Sequence, residues 1–288
     1  ESAETGLIQA TEAIAANPNS TAFRLVAKTL HNIRAQVYRR RSEPEQELDD
    51  LRAIRNLIQE LSDRDPANGF LRGELSFAER RLANTLLLQS KARPESVTES
   101  ETTTLAALQI DRELLAQAPM RPFARRYLAA SLQQLGDLRR AQQRYEDADA
   151  AYQESLQLRL ALAREFPDEA SWRRLVAFSY AVIKDLDVER GDLVAATRAQ
   201  REAASLWDAL LDAEPDPSTE FAWFDSQLLL LELLLAQGEE PTLKAELTRL
   251  LDRLGDYAQQ HAQTLQARPD LLKELARLED RASSRGTR

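Results

Sequence analysis

The chain has 288 residues, a formal net charge of −9, 43% hydrophobic residues, 30% charged residues and no cysteine. That charge excludes a generalised nucleic-acid surface, which needs concentrated positive charge, and the missing thiols exclude disulfides, thiolate metal sites and a cysteine nucleophile. Eight glycines and eleven prolines are few for this length, and Leu, Ala, Arg, Glu and Gln, which lose little on entering a helix, dominate, so the composition points to an all-helical chain.

The basic residues are 33 Arg against 5 Lys, a skew that reads as coding bias before Arg-mediated recognition. No stretch approaches the roughly 20 apolar residues of a membrane-spanning helix; the nearest, Leu228 to Leu235, is interrupted by Glu232. Glu1 opens the sequence and Met120 is its only methionine, so the expectation is a segment of a longer or processed protein.

Prolines punctuate the chain at a near-constant interval. Pro18, Pro66, Pro119, Pro167, Pro215 and Pro269 are separated by 48, 53, 48, 48 and 54 residues. An aromatic follows each of the first five: Phe23, Phe70, Phe123, Trp172 and Phe221. A second break falls near mid-interval, at Pro44, Pro94, Gly191 and Pro241. Proline cannot continue a helix and glycine commonly ends one. Each interval therefore holds two helices joined by a short turn. The third interval lacks such a break, and alignment places its turn at Gln142-Gln143-Arg144.

In chain order the spacing predicts an N-terminal helix over 3–16, helix pairs over 19–65, 67–118, 120–166, 168–214 and 217–267, and a closing helix over 269–283. Trp172, Leu175, Val176, Val182, Ile183 and Leu186 recur close to the helical period, as do Leu193, Ala196, Ala203, Leu206 and Leu210. Nothing alternates at period two for the length of a strand. A single pair cannot bury its apolar face alone, but stacked pairs can. The expected architecture is one domain over 1–288, a right-handed α-α superhelix of about five long pairs with a C-terminal capping helix.

The third and fourth intervals align without gaps at a shift of 48. Leu128 to Asp137 lies over Val176 to Asp185, and Ala148, Tyr152 and Ser155 lie over Ala196, Gln200 and Ala203. The Leu135-Gly136 pair, followed by small, aromatic and small residues at i, i+4 and i+7, resembles the tetratricopeptide signature. The resemblance implies that small residues let the two helices approach closely while the aromatic fills the gap between pairs. Ala148 and Ala196 should then lie where helices touch. Trp172 to Tyr180 and Tyr152 to Arg159 are also similar to repeat arrays appended to bacterial Hanks-type Ser/Thr protein kinases. None of the kinase's own motifs is present.

Catalytic signals are sparse. His31 and His261 stand far apart, outside any metal-binding spacing, and read as solvated or packing residues. Glu45, Glu47, Asp49, Asp50, Glu99 and Glu101 fall at helix starts, where negative charge complements the macrodipole. In the stretch Asp185 to Glu189, Gly191 comes one place late for a calcium loop, and Ala196 stands where a bidentate Glu is needed. No catalytic residue, metal or cofactor is assigned.

The candidate ligand site lies on the expected concave wall. Registering the first helices by their anchors stacks Gln36, Asn84, Asp137 and Asp185, and one turn earlier Asn32, Arg80, Gln133 and Ala181. Residues at i and i+4 share a helix face, so the pairs Asn32/Gln36, Arg80/Asn84 and Gln133/Asp137, with Asp185 in the same register and extended by Arg39 and Arg140, would line a polar groove. The alternative is a merely solvated face. As a groove, its amides and charges would hold an extended backbone, with Arg80 and Arg140 facing solvent. In the last pair, Phe221 to Phe224 and Leu228 to Leu235 point apolar groups in every direction. They are expected to be covered by the second helix of that pair and the closing helix, the alternative being a homodimer contact or an apolar pocket.

The function these readings carry is a non-catalytic sensor or scaffold binding a peptide or protein, without nucleic acid and without membrane insertion by this segment. The kinase resemblance implies the extracytoplasmic sensor region of a bacterial receptor Ser/Thr kinase. A cytoplasmic adaptor, or the repeat arm of another regulator, is the alternative, and an enzyme is the third class.

Overall fold

The computed structural model describes residues 2–237, 241–261, 265, 266 and 268–285. They form twelve α-helices and no strand: α1 (Ser2–Ala16), α2 (Thr21–Arg41), α3 (Pro44–Arg64), α4 (Gly69–Leu88), α5 (Ser96–Gln117), α6 (Pro122–Ala141), α7 (Tyr145–Glu165), α8 (Ala170–Glu189), α9 (Leu193–Ala213), α10 (Pro217–Gln237), α11 (Pro241–Gln260) and α12 (Pro269–Arg285). Each expected break falls at a helix junction, including the turn at Gln142 to Arg144. The last predicted pair runs through residues 238–240, 262–264 and 267, which lie outside the described residues. The chain divides into two compact units, Glu1–Ser155 and Leu156–Arg288, and the division falls within α7.

The turns inside three of the pairs share one geometry. Ser42, Gln143 and Gly191 have φ of 58°, 60° and 78°, and each lies 24 residues past its anchor, Pro18, Pro119 or Pro167. The N–H of each left-handed residue donates to the carbonyl three residues back, at Arg39, Arg140 and Val188. The next N–H reaches back five, to Tyr38, Arg139 and Asp187, at 2.9, 2.8 and 2.9 Å. This is a left-handed helix stop that satisfies the last carbonyls. Only one of the three residues is glycine, which is why the third turn shows no sequence break.

In the third pair a small residue sets the spacing. A Cβ at Gly136 would sit 2.3 Å from the Tyr152 ring, so α6 approaches α7 closely only because position 136 has no side chain. The Tyr152 hydroxyl donates to Asp137 Oδ1 at 2.7 Å, so the aromatic fills the space inside its pair, not between pairs as the resemblance implied. Ala148 and Ala196 are both fully buried. Buried hydroxyls stitch helices to neighbouring carbonyls: Ser100 Oγ donates to Ala83 O and Ser155 Oγ to Ala129 O, at 2.9 and 2.7 Å.

In the first unit, Leu48, Leu51 and Ile54 of α3 pack against Leu82 and Leu86 of α4. In the second, Phe224, Leu228, Leu231 and Leu235 of α10 meet Trp207 and Leu210 of α9, Leu250 and Leu254 of α11, and Leu271, Leu275 and Leu278 of α12. The apolar run of α10 is therefore covered within its own unit, by α9 as well as by the second helix of its pair and the closing helix. The aromatics after the anchors do not share one role: Trp172 is buried and Phe123 and Phe221 half-buried, but Phe23 and Phe70 are exposed.

His31 has a structural partner. Its Nδ1 lies 2.6 Å from Oδ1 of the fully buried Asp50, which also accepts from Arg34 Nε and Nη2. Burial pushes the Asp50 carboxyl up, but the hydrogen bonds and charges of His31 and Arg34 outweigh it and hold the group below its ordinary value. A depressed carboxylate stabilises the fold above its unfolded pKa, near 4, and that contribution is lost as pH falls through the lower folded value.

Two stability measurements follow. Gly136→Ala should lower unfolding free energy by ~1–3 kcal/mol through overpacking, and combining it with Tyr152→Leu should cost less than the sum of the two; additive losses in urea titrations would show that the ring and the glycine do not meet. Asp50→Asn should lower stability at pH 7 and flatten the acid limb, where one linked proton contributes a slope of up to ~1.4 kcal/mol per pH unit; an unchanged acid limb contradicts the assignment.

Candidate binding surface

The residues expected to line the groove fall into both units, and Asp185 belongs to the second, where Lys184 pairs with it. The others lie in the first, on the wall made by α2, α4 and α6. On α4 the geometry is set by two seams. Toward α2, Glu74 pairs with Lys28, and Arg81 Nη1 donates to Asn32 Oδ1 at 2.6 Å. Toward α6, Gly73 abuts the Tyr127 ring, and Arg80 Nη1 lies 3.2 Å from Ser131 Oγ. Between the seams one narrow row faces solvent: Phe70, Phe77, Asn84 and Leu88, spaced i, i+7, i+14 and i+18 along the helix. Phe70, Phe77 and Leu88 are 71%, 49% and 74% exposed.

This corrects the expected placement of Arg80. Its side chain is only 11% exposed, and Nη1 bonds Asp111 Oδ2 at 2.9 Å and Ser76 Oγ at 2.7 Å. Asp111 on α5 is fully buried and also accepts from Ser131 Oγ at 2.5 Å. A buried carboxylate needs a cation, and the long Arg80 stem supplies it by turning inward, away from solvent. Burial pushes Asp111 up and Arg80 down, each partly offset by the other's charge.

The remaining candidates divide by partner. Asn32 is engaged by Arg81, and Arg39 Nε donates to the buried Glu47 at 2.9 Å. Gln36 and Asn84 are exposed amides. Arg39 and Asn84 are brought together in a cleft of about 400 Å³ that Pro44 and Leu88 also line. Asp137 accepts from Tyr152, whose hydroxyl is pushed up by burial and by Asp137, with Arg140 acting against the rise. Asp137 and Arg140 therefore belong to one polar node with Tyr152. Gln133 is half-buried on α6.

Sequence reasoning missed the apolar character of this wall. Phe77 was the available signal: it lies seven residues after Phe70, and the same spacing leads to Asn84. The guanidinium carbons of Arg80 and Arg81 each lie 5.9 Å from the Phe77 centroid, within cation–π range. Arg81 is half-buried and bonds a neutral amide; burial, then the neighbouring Arg39, hold its pKa below the ordinary value. On α2, Val26, Ile33 and Val37 add exposed apolar groups. The surface thus combines aromatic and aliphatic contacts, two exposed amides and a half-buried guanidinium bonded to an amide. Among the described residues no group of three or more His, Asp or Glu is placed to hold a metal ion, and no helix is long and apolar enough to cross a membrane.

Arg80→Glu should therefore unfold the first unit at lower denaturant, since breaking a buried pair costs about 3–5 kcal/mol. Gln36→Glu, on the exposed face, should change stability by less than about 0.5 kcal/mol. Equal denaturation midpoints for the two variants would contradict the buried pair.

No protein-family model and no curated protein matches the chain. Among solved structures it is similar to BtubC (BKLC) from P. vanneervenii, with 16% identity over 90% of each chain and a TM-score of 0.60. An RS-1 MamA double mutant is 17% identical over 66% of this chain and 97% of that one, with a TM-score of 0.25. MamA from Desulfovibrio magneticus RS-1 is 16% identical over the same shares, with a TM-score of 0.24. The likeness to BtubC shows the fold: the chain is an all-helical protein of the helical-repeat type.

Proposed function

We propose that the chain is a non-catalytic, protein-binding repeat module whose first unit takes an extended peptide along α2 and α4. The observation that carries this is the exposed row Phe70, Phe77 and Leu88 beside the half-buried Arg81. Aromatic side chains exposed in line on a rigid helix are the usual anchors of an interface. Gln36 and Asn84 are placed to bond a peptide backbone, while Arg81 favours an acidic side chain between apolar ones. The expected ligand is an extended segment of alternating apolar and acidic character.

The similarity of Trp172 to Tyr180 and Tyr152 to Arg159 to kinase-appended arrays supports one parent, an extracytoplasmic sensor region of a bacterial receptor Ser/Thr kinase. Sequencing the complete gene tests that parent: a kinase domain and a membrane span must precede this segment, and their absence leaves the adaptor reading.

Peptides selected from a displayed library against the whole chain provide the binding test. Phe77→Ser and Arg81→Gln should each weaken the selected peptide at least tenfold in fluorescence polarisation, with Arg81→Gln also flattening the salt dependence, because exposed charge contacts are screened over ~8–10 Å. Unchanged affinity in both variants would place the site elsewhere.

A further inference from the structure

An apolar row on α2 stands uncovered on the side turned away from α4. Phe23, Val26, Leu30, Ile33 and Val37 fall at i, i+3, i+7, i+10 and i+14, the spacing of a seam that packs against one other helix. The row runs down the side of α2 roughly opposite Lys28 and Asn32, which bond α4. α1 reaches Leu30, where a Cβ on Gly6 would stand 3.1 Å from its Cδ1. The other four residues are exposed, Val26 and Ile33 by 51% and 49%.

The next two pairs show what covers such a row. Counted from the anchors, it corresponds to Leu71, Glu74, Ala78, Arg81 and Thr85 on α4, and to Ala124, Tyr127, Ser131, Gln134 and Leu138 on α6. All of these are buried or half-buried, because the first helix of the preceding pair lies on them. Lys28 pairs with Glu74 and Asn32 bonds Arg81 across the α2–α4 seam; Gly73 meets Tyr127 and Arg80 meets Ser131 across the α4–α6 seam.

Charge points the same way at Glu12. It stands six residues before Pro18, as Glu60 and Glu113 stand six before Pro66 and Pro119. Those two pair with the arginines six past the preceding anchors, Arg24 with Glu60 and Arg72 with Glu113. Glu12 is exposed, and among the described residues no cation pairs with it. In a second copy of the chain the matching arginine, Arg24, is already held by Glu60, so the charge that Glu12 lacks has to come with another protein's helix.

We infer that a partner protein lays one amphipathic helix on α1 and α2, in the place a first helix takes, with its apolar face on the row and an arginine near its start against Glu12. Val26, Ile33 and Val37 also border the peptide wall, but the inference stands apart from that reading, which rests on Phe70, Phe77 and Arg81. The probe is a fluorescein-labelled synthetic helix of 21 residues, the length of α2, with one leucine face and an arginine in its second turn; a counterpart carries glutamate there. Titrated with the whole chain in fluorescence polarisation, the arginine helix should bind saturably and the counterpart at least tenfold more weakly. Val26→Asp and Ile33→Asp, both at exposed positions, should each weaken the arginine helix at least tenfold, and Glu12→Arg should reverse the preference between the two probes. Phe77→Ser should leave these affinities unchanged while weakening the wall peptide, so either reading can fail without the other. If an aspartate variant loses the wild-type circular dichroism spectrum, the Glu12→Arg reversal decides. No saturable binding, or equal affinity in the folded variants, overturns the inference. Dimerisation of the wild type in sedimentation, lost in Val26→Asp, assigns the row to a second copy and overturns it as well.

Discussion

Close approach of two helices within a pair is the constraint from which the rest follows. At Gly136 a single methyl would stand 2.3 Å from the Tyr152 ring; the fully buried Ala148 and Ala196 are likewise small residues on second helices. Helices brought this near leave no room for water between them, so buried polar groups in the seams must find partners within the protein. Ser100 and Ser155 meet this demand by donating to carbonyls of the facing helix. Interiors of close-packed helices tolerate little change in volume, which makes the small positions more demanding than the large ones.

The same demand decides what the outer face displays. Asp111 is buried, and Arg80 turns inward to neutralise it; Asp50 draws in Arg34 and His31. Glu47 draws Arg39, leaving Arg81 to bond the Asn32 amide. Charges that looked available for a ligand are consumed by the packing of the pairs. What remains outward on α4 is mainly apolar, and this is why the wall suits side-chain anchors more than a chain of charges.

The repeat, its period and nearly all helix boundaries were legible in the sequence, because proline and glycine mark them by backbone geometry alone. The third turn was found by alignment, although Gln143 carries no breaker signal; its left-handed conformation is imposed by the helix stop that Ser42 and Gly191 share. The site was less legible. A register argument places residues on a face to within one helical row, and Arg80 and Phe77 are neighbouring rows. Which of them faces solvent depends on Asp111, on a different helix; on α4 itself the spacing of Phe70, Phe77 and Asn84 is a hint of the row but does not decide it. The burial of α10 was legible as a need for cover, but the share taken by α9 depends on packing between consecutive pairs.

The central claim, that α2 and α4 carry the ligand surface, is tested most directly by hydrogen exchange on the whole chain with and without a library-selected peptide at saturating concentration. Slowed exchange confined to α2 and α4, strongest in the segments containing Ile33 and Phe77, is the expected result. Protection absent there and concentrated on α10 to α12 would contradict it.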